Sequence, residues 1–239
     1  MANSYFQFQQ FRIEQGGCAM KVGTDGVLLG AWADVDGDDS ILDIGTGSGL
    51  IALMLAQRNS SAKIMGIDID EGAANQAKEN AEASKWKERI EIRLSSLQDF
   101  TAQHRGQFSH VVSNPPFFQN SLKAPDKSRS TARHTDTLPF PELVECASLL
   151  LRDGGRFSVV LPYESKDNII ELGKSNDLNV SKITTVFPKA DSLPKRALIE
   201  LTKGDGCECR NDSITLETET RNVLTPEFKE LTKDYYLKR

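Results

Sequence analysis

Short apolar runs, each stopped by glycine or a charge and followed by a stretch of helix formers, recur along this chain. Ser40-Ile41-Leu42-Asp43-Ile44 is the first such run, and Gly49-Leu50-Ile51-Ala52-Leu53-Met54-Leu55-Ala56-Gln57 continues as a helix after a glycine-rich turn. Lys63 to Asp68 predicts a second buried strand, followed by an Ala-rich helix from Gly72 to Ser84. Arg89 to Leu94 alternates as a third strand and Phe108 to Ser113 as a fourth. A helix near Glu142 to Leu151, a turn at Asp153-Gly154-Gly155 and the strand Arg156 to Leu161 come next. Strands that alternate with helices predict a parallel, doubly wound α/β sheet with helices on both faces. Val180 to Phe187 and Arg196 to Thr202 then predict two strands joined by a Pro/Lys-containing loop too short for a helix, so they are expected to pair antiparallel at the sheet edge. The sum is a mostly parallel seven-stranded sheet with an antiparallel edge strand. Residues 1–37 precede the first core strand and are expected to cover the site at its carboxyl end, with 38–239 as the core of a single domain.

At 239 residues the chain has room for one large core. The N-terminus shows no charged-then-apolar leader and no run is long enough to span a bilayer, which predicts a soluble, cytoplasmic protein with no membrane partner. Its four cysteines (Cys18, Cys146, Cys207, Cys209) are too few for a disulfide framework. Cys207-Glu208-Cys209 offers two thiolates without a second ligand pair at zinc spacing, so no metal is expected. A formal net charge of −5 excludes a protein that coats nucleic acid nonspecifically, because such binding scales with the phosphates neutralised. A nucleic-acid substrate would need local basic patches.

Two segments carry chemistry. The first is Asp43-Ile44-Gly45-Thr46-Gly47-Ser48-Gly49, a turn between strand and helix at the place where open α/β sheets bind ligands. Glycines let a ligand approach the backbone, and the following helix start adds oriented N–H groups. Asp68, with Ile69 beside it, ends the second strand, where a carboxylate can accept both hydroxyls of a ribose. A nicotinamide dehydrogenase uses the same architecture, but its Gly-x-Gly-x-x-Gly spacing fails here because Leu50 stands where the third glycine is required.

The second segment is Ser113-Asn114-Pro115-Pro116-Phe117, at the end of the fourth strand. An exocyclic amine on adenine is a poor nucleophile because its lone pair is delocalised into the ring. Acceptors that bond both amine hydrogens draw the nitrogen towards tetrahedral geometry. The Asn114 side-chain oxygen and the Pro115 carbonyl suit that task, since two prolines restrict the backbone that aims them, and Asn114 is expected to border the cofactor as well. Phe117 offers a face for a stacked base, with Phe118 and Pro116 flanking it.

The glycine pattern resembles the methionine-cofactor loop of class I, Rossmann-like methyltransferases, and Asn114 to Phe117 resembles the Asn/Asp-Pro-Pro-Tyr/Phe motif of amino-methyltransferases acting on adenine, guanine or glutamine. Phe117 replaces the commoner tyrosine. Met20 to Trp32, Arg133-His134, Pro194 to Leu198 and Leu231 to Leu237 are similar to the bacterial valine-tRNA adenine-N6 methyltransferase family over essentially the whole chain. The resemblance implies S-adenosylmethionine as cofactor, a tRNA as partner and the adenosine beside the anticodon as acceptor. It also implies that Thr24 and Asp25 border the methionine end of the cofactor, although the residues alone equally suit a helix cap. After the third strand, where relatives often carry an acid near the cofactor adenine, this chain has Ser95-Ser96-Leu97, with Ser96 still able to bond the adenine amine.

Lys123, Lys127, Arg129, Arg133 and His134 follow the Asn-Pro-Pro-Phe turn against one acid, Asp126, and suit the gripping of RNA phosphates; a solvated loop is the plain alternative. Lys189, Lys195 and Arg196 are a second phosphate-contact set. His104 and His110 read as structural, and Trp32 and Trp86 as helix packing. A protein glutamine methyltransferase and a cofactor-binding RNA chaperone without catalysis remain the competing readings.

Overall fold

The computed structural model describes residues 4–17, 20–116, 138–206, 208–220 and 222–237. Its central sheet contains β3 (Ser40–Ile44), β4 (Lys63–Asp68), β5 (Ile90–Leu94), β6 (Phe108–Ser113), β7 (Leu151–Pro162), β8 (Leu178–Lys189), β9 (Arg196–Lys203) and β10 (Arg210–Glu217). These eight strands run in the order β10-β8-β9-β7-β6-β3-β4-β5. A separate hairpin pairs β1 (Tyr5–Gln7) with β2 (Arg12–Glu14). The helices are α1 (Thr24–Trp32), α2 (Leu50–Arg58), α3 (Glu71–Glu82), α4 (Leu97–Gln103), α5 (Phe140–Leu150), α6 (Lys166–Ser175) and α7 (Pro226–Leu231).

The period-two alternation of the strands explains both layers. Ile41, Ile64, Val112, Val160 and Leu198 face the core beneath α1 and α2, whereas their neighbours Leu42, Val111, Val159, Leu161 and Ile199 face the core beneath α4, α5 and α6. Each of these side chains is essentially out of water, worth about 1.5–3 kcal/mol apiece by transfer. Gly30 allows the close approach of α1 to α2, since a Cβ there would lie 2.7 Å from the Met54 sulfur.

Two details of the strand expectation need correction. The sheet has eight strands rather than seven, because β10 adds parallel to β8. Its sequence, Arg-Asn-Asp-Ser-Ile-Thr-Leu-Glu, buries only Ile214, so it carries no strong apolar pattern. The antiparallel strand is also interior: β9 lies between β7 and β8 and runs against both. The antiparallel pairing of β8 with β9 is as expected, and α6 supplies the crossover that lets β8 run with the parallel set.

Strand order reverses around β3, which has β4 on one side and β6 on the other. A crevice at the carboxyl ends of β3 and β6 is therefore the place where this topology binds ligands.

Candidate functional site

Each wall of that crevice starts from a strand end. At the end of β3, Asp43 is fully buried and accepts a hydrogen bond from Thr46 Oγ1 at 2.7 Å. Its other oxygen, Oδ1, has no hydrogen-bond partner among the described residues. Burial dominates and pushes the Asp43 carboxyl up to about 7, against the opposing Thr46 bond and the Ala52 backbone N–H, and with a smaller contribution from the charge of Asp68. A buried acceptor left without a donor costs about 1–3 kcal/mol, which is a demand for a ligand that brings one.

The glycine turn is held open by its backbone. Gly45, Gly47 and Gly49 have φ of +68°, +57° and +79°. A Cβ at Gly45 or Gly47 would meet nothing within 4 Å, so these two glycines serve backbone conformation and leave free space above the turn. Gly49 caps α2 without a side-chain bond, and a Cβ there would reach Ala77 of α3 at 3.4 Å.

Asp68 ends β4 and ties this turn down. Its Oδ2 accepts from Gly47 N at 2.9 Å and its Oδ1 from Asp70 N at 3.0 Å, while Gly45 N and Thr46 N both donate to Ile67 O. The following Ile69 is 67% exposed, and Leu94, in register with Asp68 on the next strand, is 55% exposed. Two apolar side chains held in water at adjacent strand ends form a face suited to one side of a flat heterocycle. The sequence marks Leu94 only as a strand end, because a strand-final leucine looks like any core position.

Ser96 and Leu97 start α4 beside this face, and Ser95 N donates to Asp68 O at 2.9 Å. The Ser96 hydroxyl caps α4, accepting from Asp99 N at 3.1 Å and donating to Asp99 Oδ2 at 2.6 Å. Its hydroxyl proton is thus committed to the cap, and towards a cofactor adenine amine the oxygen can only accept, with the lone pair that Asp99 N leaves free.

At the end of β6, Ser113 Oγ donates to Ile44 O at 3.0 Å and locks this strand end to the root of the glycine turn. Asn114 is half-buried, Pro115 is buried and Pro116 is half-buried. The first turn of α1 lies against them: a Cβ on Gly26 would sit 3.8 Å from Asn114 Nδ2. Asp25, beside it, accepts from Arg196 Nε at 2.9 Å. Arg196, expected to contact a phosphate, also reaches the α1 start with its guanidinium, where Thr24 and Asp25 stand. Lys189 ends β8 and Lys195 stands in the β8–β9 loop.

The structure therefore brings Asp43, Gly45, Gly47, Gly49, Asp68, Ile69, Ser96, Leu97, Asn114, Pro115 and Pro116 to the carboxyl ends of neighbouring strands, with Thr24, Asp25 and Arg196 at the α1 side. Phe117, Phe118, Lys123, Lys127, Arg129, Arg133 and His134 lie outside the described residues. Two polar residues were missed by the sequence reading. Thr46 braces Asp43, and Asn80 of α3 bonds Ser48 O at 2.9 Å and Glu14 O at 2.8 Å, joining the turn to the β2 strand.

Of the two histidines read as structural, His110 is buried far along β6 from Asn114. Its Nδ1 lies 2.9 Å from Asp38 and its Nε2 2.9 Å from Ser158 Oγ, with Arg156 also on Asp38. His104 stacks on Phe100. Among the described residues no group of His, Cys, Asp and Glu is placed to hold a metal ion, and no helix is long and apolar enough to cross a membrane.

The family profile of the methyltransferase small domain matches residues 23–170, which include every strand end just described up to β7. Over its full length the chain is 46% identical to a tRNA1(Val) (adenine(37)-N6)-methyltransferase of Parabacteroides distasonis, covering 100% of both chains. The chain belongs to the tRNA1(Val) adenine-N6 methyltransferase family. Members of the same name from Flavobacterium johnsoniae and Trichodesmium erythraeum are 43% and 44% identical, each with at least 98% of both chains covered. The fold is that of solved methyltransferases. A protein of Agrobacterium tumefaciens described as a predicted O-methyltransferase superposes with a TM-score of 0.69 at 21% identity, covering 90% of this chain and 99% of the other. Geranyl diphosphate C-methyltransferase of Streptomyces coelicolor superposes at 0.51 and 16% identity, covering 70% and 71%.

Proposed function

We propose that this enzyme transfers a methyl group from S-adenosylmethionine to the exocyclic N6 of an adenosine in tRNA, namely the adenosine at position 37, beside the anticodon, of a valine tRNA. The observation that carries the reading is the placement of Asn114-Pro115-Pro116 at the strand end next to Asp43 and the open glycine turn.

The residues present fit the cofactor. The unsatisfied Oδ1 of a fully buried Asp43 suits the amino group of its methionine end, and the free space above Gly45 and Gly47 accommodates close approach to the backbone. Asp68 would accept ribose hydroxyls while keeping its bond to Gly47, and Ile69 with Leu94 would cover the adenine face. Thr24 and Asp25 close the methionine side from α1, which is how residues 1–37 contribute to the site. Bound S-adenosylmethionine supplies an electrophilic methyl on a sulfonium.

On the acceptor side, the Asn114 side-chain oxygen and the Pro115 carbonyl each accept one hydrogen of the adenine amine. These bonds localise the nitrogen lone pair and hold the base in line, so alignment and oriented acceptors supply most of the rate. No strong base is required, because the proton leaves the nitrogen after the new N–C bond has formed. Phe117 is assigned the stacking face for a base drawn out of its loop. The basic residues from Lys123 to His134, with Lys189 and Lys195, hold the phosphate chain.

Incubation with cofactor carrying a labelled methyl group and total tRNA lacking this modification tests the reading. Label recovered in N6-methyladenosine is the expected result. Label recovered in protein, or RNA binding with no label at all, would overturn it.

A further inference from the structure

The far side of the site mouth, at the carboxyl end of β7 and the loop between β8 and β9, holds an unusual exposed leucine. Leu193 is 84% exposed, the most exposed of the large apolar residues described. A lone exposed leucine is ordinary on a protein surface. This one sits on a braced loop. Ser192 N donates to Lys189 O at 3.1 Å, Ser192 Oγ donates to the same carbonyl at 2.7 Å, and Lys189 N donates to Ser192 Oγ at 3.0 Å. The neck of the loop is fixed as well: Lys195 N donates to Val186 O, and Tyr163 N donates to Lys195 O at 3.1 Å. Next to that neck, Lys166 Nζ lies 5.3 Å from the centre of the Tyr163 ring and 3.3 Å from the exposed Asp167 carboxylate, which a phosphate would have to displace or share. Leu193 thus has Lys189 and Lys195 on either side in sequence and Lys166 beside its anchor.

The loop lies at the end of the sheet that carries the chemistry. Arg196 starts β9, is in register with Pro162 of β7 and is bonded to Asp25, which adjoins the α1 turn against Asn114. From β6 to β9 is two strand spacings, roughly 10 Å. An exposed apolar side chain on a braced loop, with Lys189 and Lys195 flanking it and Asp191 as the one acid between them, at the same end of the sheet as the proposed amine-binding turn, has the make-up of a wedge: the cations bind phosphates, and the apolar tip fills the gap that a displaced base leaves behind.

We propose that Leu193 is this wedge, stacking against the nucleotide next to the target adenosine, and that Lys166 is a phosphate contact beside Lys189 and Lys195. The proposal rests on the tRNA reading above. It predicts that Leu193 acts on the step that exposes the base, while Lys166 acts on RNA affinity.

The test measures methylation of unmodified valine tRNA, together with the fluorescence of a substrate carrying 2-aminopurine at the target position. Leu193→Ala is expected to lower kcat about tenfold, within the few kcal/mol that unstacking one base step costs, and to lose most of the fluorescence rise. Cofactor affinity and thermal midpoint should not move, because the side chain is in water. Leu193→Met should restore turnover. Lys166→Gln is expected to raise KM for tRNA and reduce the salt slope of binding by about one. Turnover and fluorescence in Leu193→Ala equal to wild type would overturn the wedge while leaving the tRNA reading intact. A wild-type protein that labels no RNA would overturn both.

Discussion

Asp43 is the residue whose physics most constrains the site. An acid pushed up to about 7 by burial stays protonated in the folded protein at pH values where the unfolded chain has already lost its proton. Folding then retains more protons than unfolding, so this group costs stability as pH climbs from about 4 towards 7. A cationic ligand amine reverses the preference, favouring ionised Asp43. The affinity for S-adenosylmethionine is therefore expected to rise with pH through about 7, and calorimetric titrations across pH 6–8 should show a flatter profile in Asp43→Asn than in wild type. Identical profiles would remove Asp43 from the cofactor amine. The importance of Asp43 and Asn114 was legible because each stands at a strand end in a recognisable run. The roles of Thr46, Asn80 and Leu94 were not, since a threonine brace, an asparagine bridge and an exposed strand-final leucine become visible only after the chain has folded. Arg196 shows the same limit: only the fold reveals that Asp25 lies 2.9 Å from its Nε, whatever the rest of its guanidinium holds.

At the scale of elements, the glycine turn and α1 must be held to each other for the pocket to exist. Asp68→Ala removes the acceptor of Gly47 N, so it should weaken cofactor binding through loop order as well as through lost ribose contacts. A weakening of about 10–100-fold is expected by equilibrium dialysis, with the fold intact by circular dichroism. Gly30→Ala would push α1 off α2, because its Cβ would meet Met54 Sδ at 2.7 Å and Met54 Cβ at 3.0 Å. A loss of about 1–3 kcal/mol in denaturant unfolding is expected, together with weaker cofactor binding as the Asp25 turn shifts. The parallel strands β3 to β7 announced themselves by continuous apolar runs. β10 did not, because an edge strand with one buried side chain needs only its partner β8 to define it.

For the whole molecule, stability and chemistry occupy opposite ends of the sheet. The carboxyl ends of the strands carry the site, while Asp38, His110, Arg156 and Ser158 form a buried polar cluster away from Asn114. Burial alone would raise the Asp38 carboxyl, but the hydrogen bond and charge of His110 and the charge of Arg156 outweigh it and hold it below its ordinary range. The stabilisation this gives is present above the unfolded carboxylate value near ~4 and is lost as pH falls through the lower folded value. Asp38→Asn is expected to cost about 3 kcal/mol, since it leaves a buried histidine and an arginine without their acid, and to flatten the acid limb of the stability curve. Methylation by the surviving folded fraction should be unchanged, because the cluster lies away from the cofactor crevice.

The central claim is that Asn114 grips the acceptor nitrogen, with any contact to the cofactor secondary to that task. Single-turnover methylation of unmodified valine tRNA by Asn114→Ala, measured beside S-adenosylmethionine affinity in the same preparation, tests it most directly. A fall of about 10²–10³-fold or more in the transfer rate with cofactor affinity within a few fold of wild type is the predicted result. Transfer at the wild-type rate, or a loss explained entirely by failure to bind the cofactor, would contradict it.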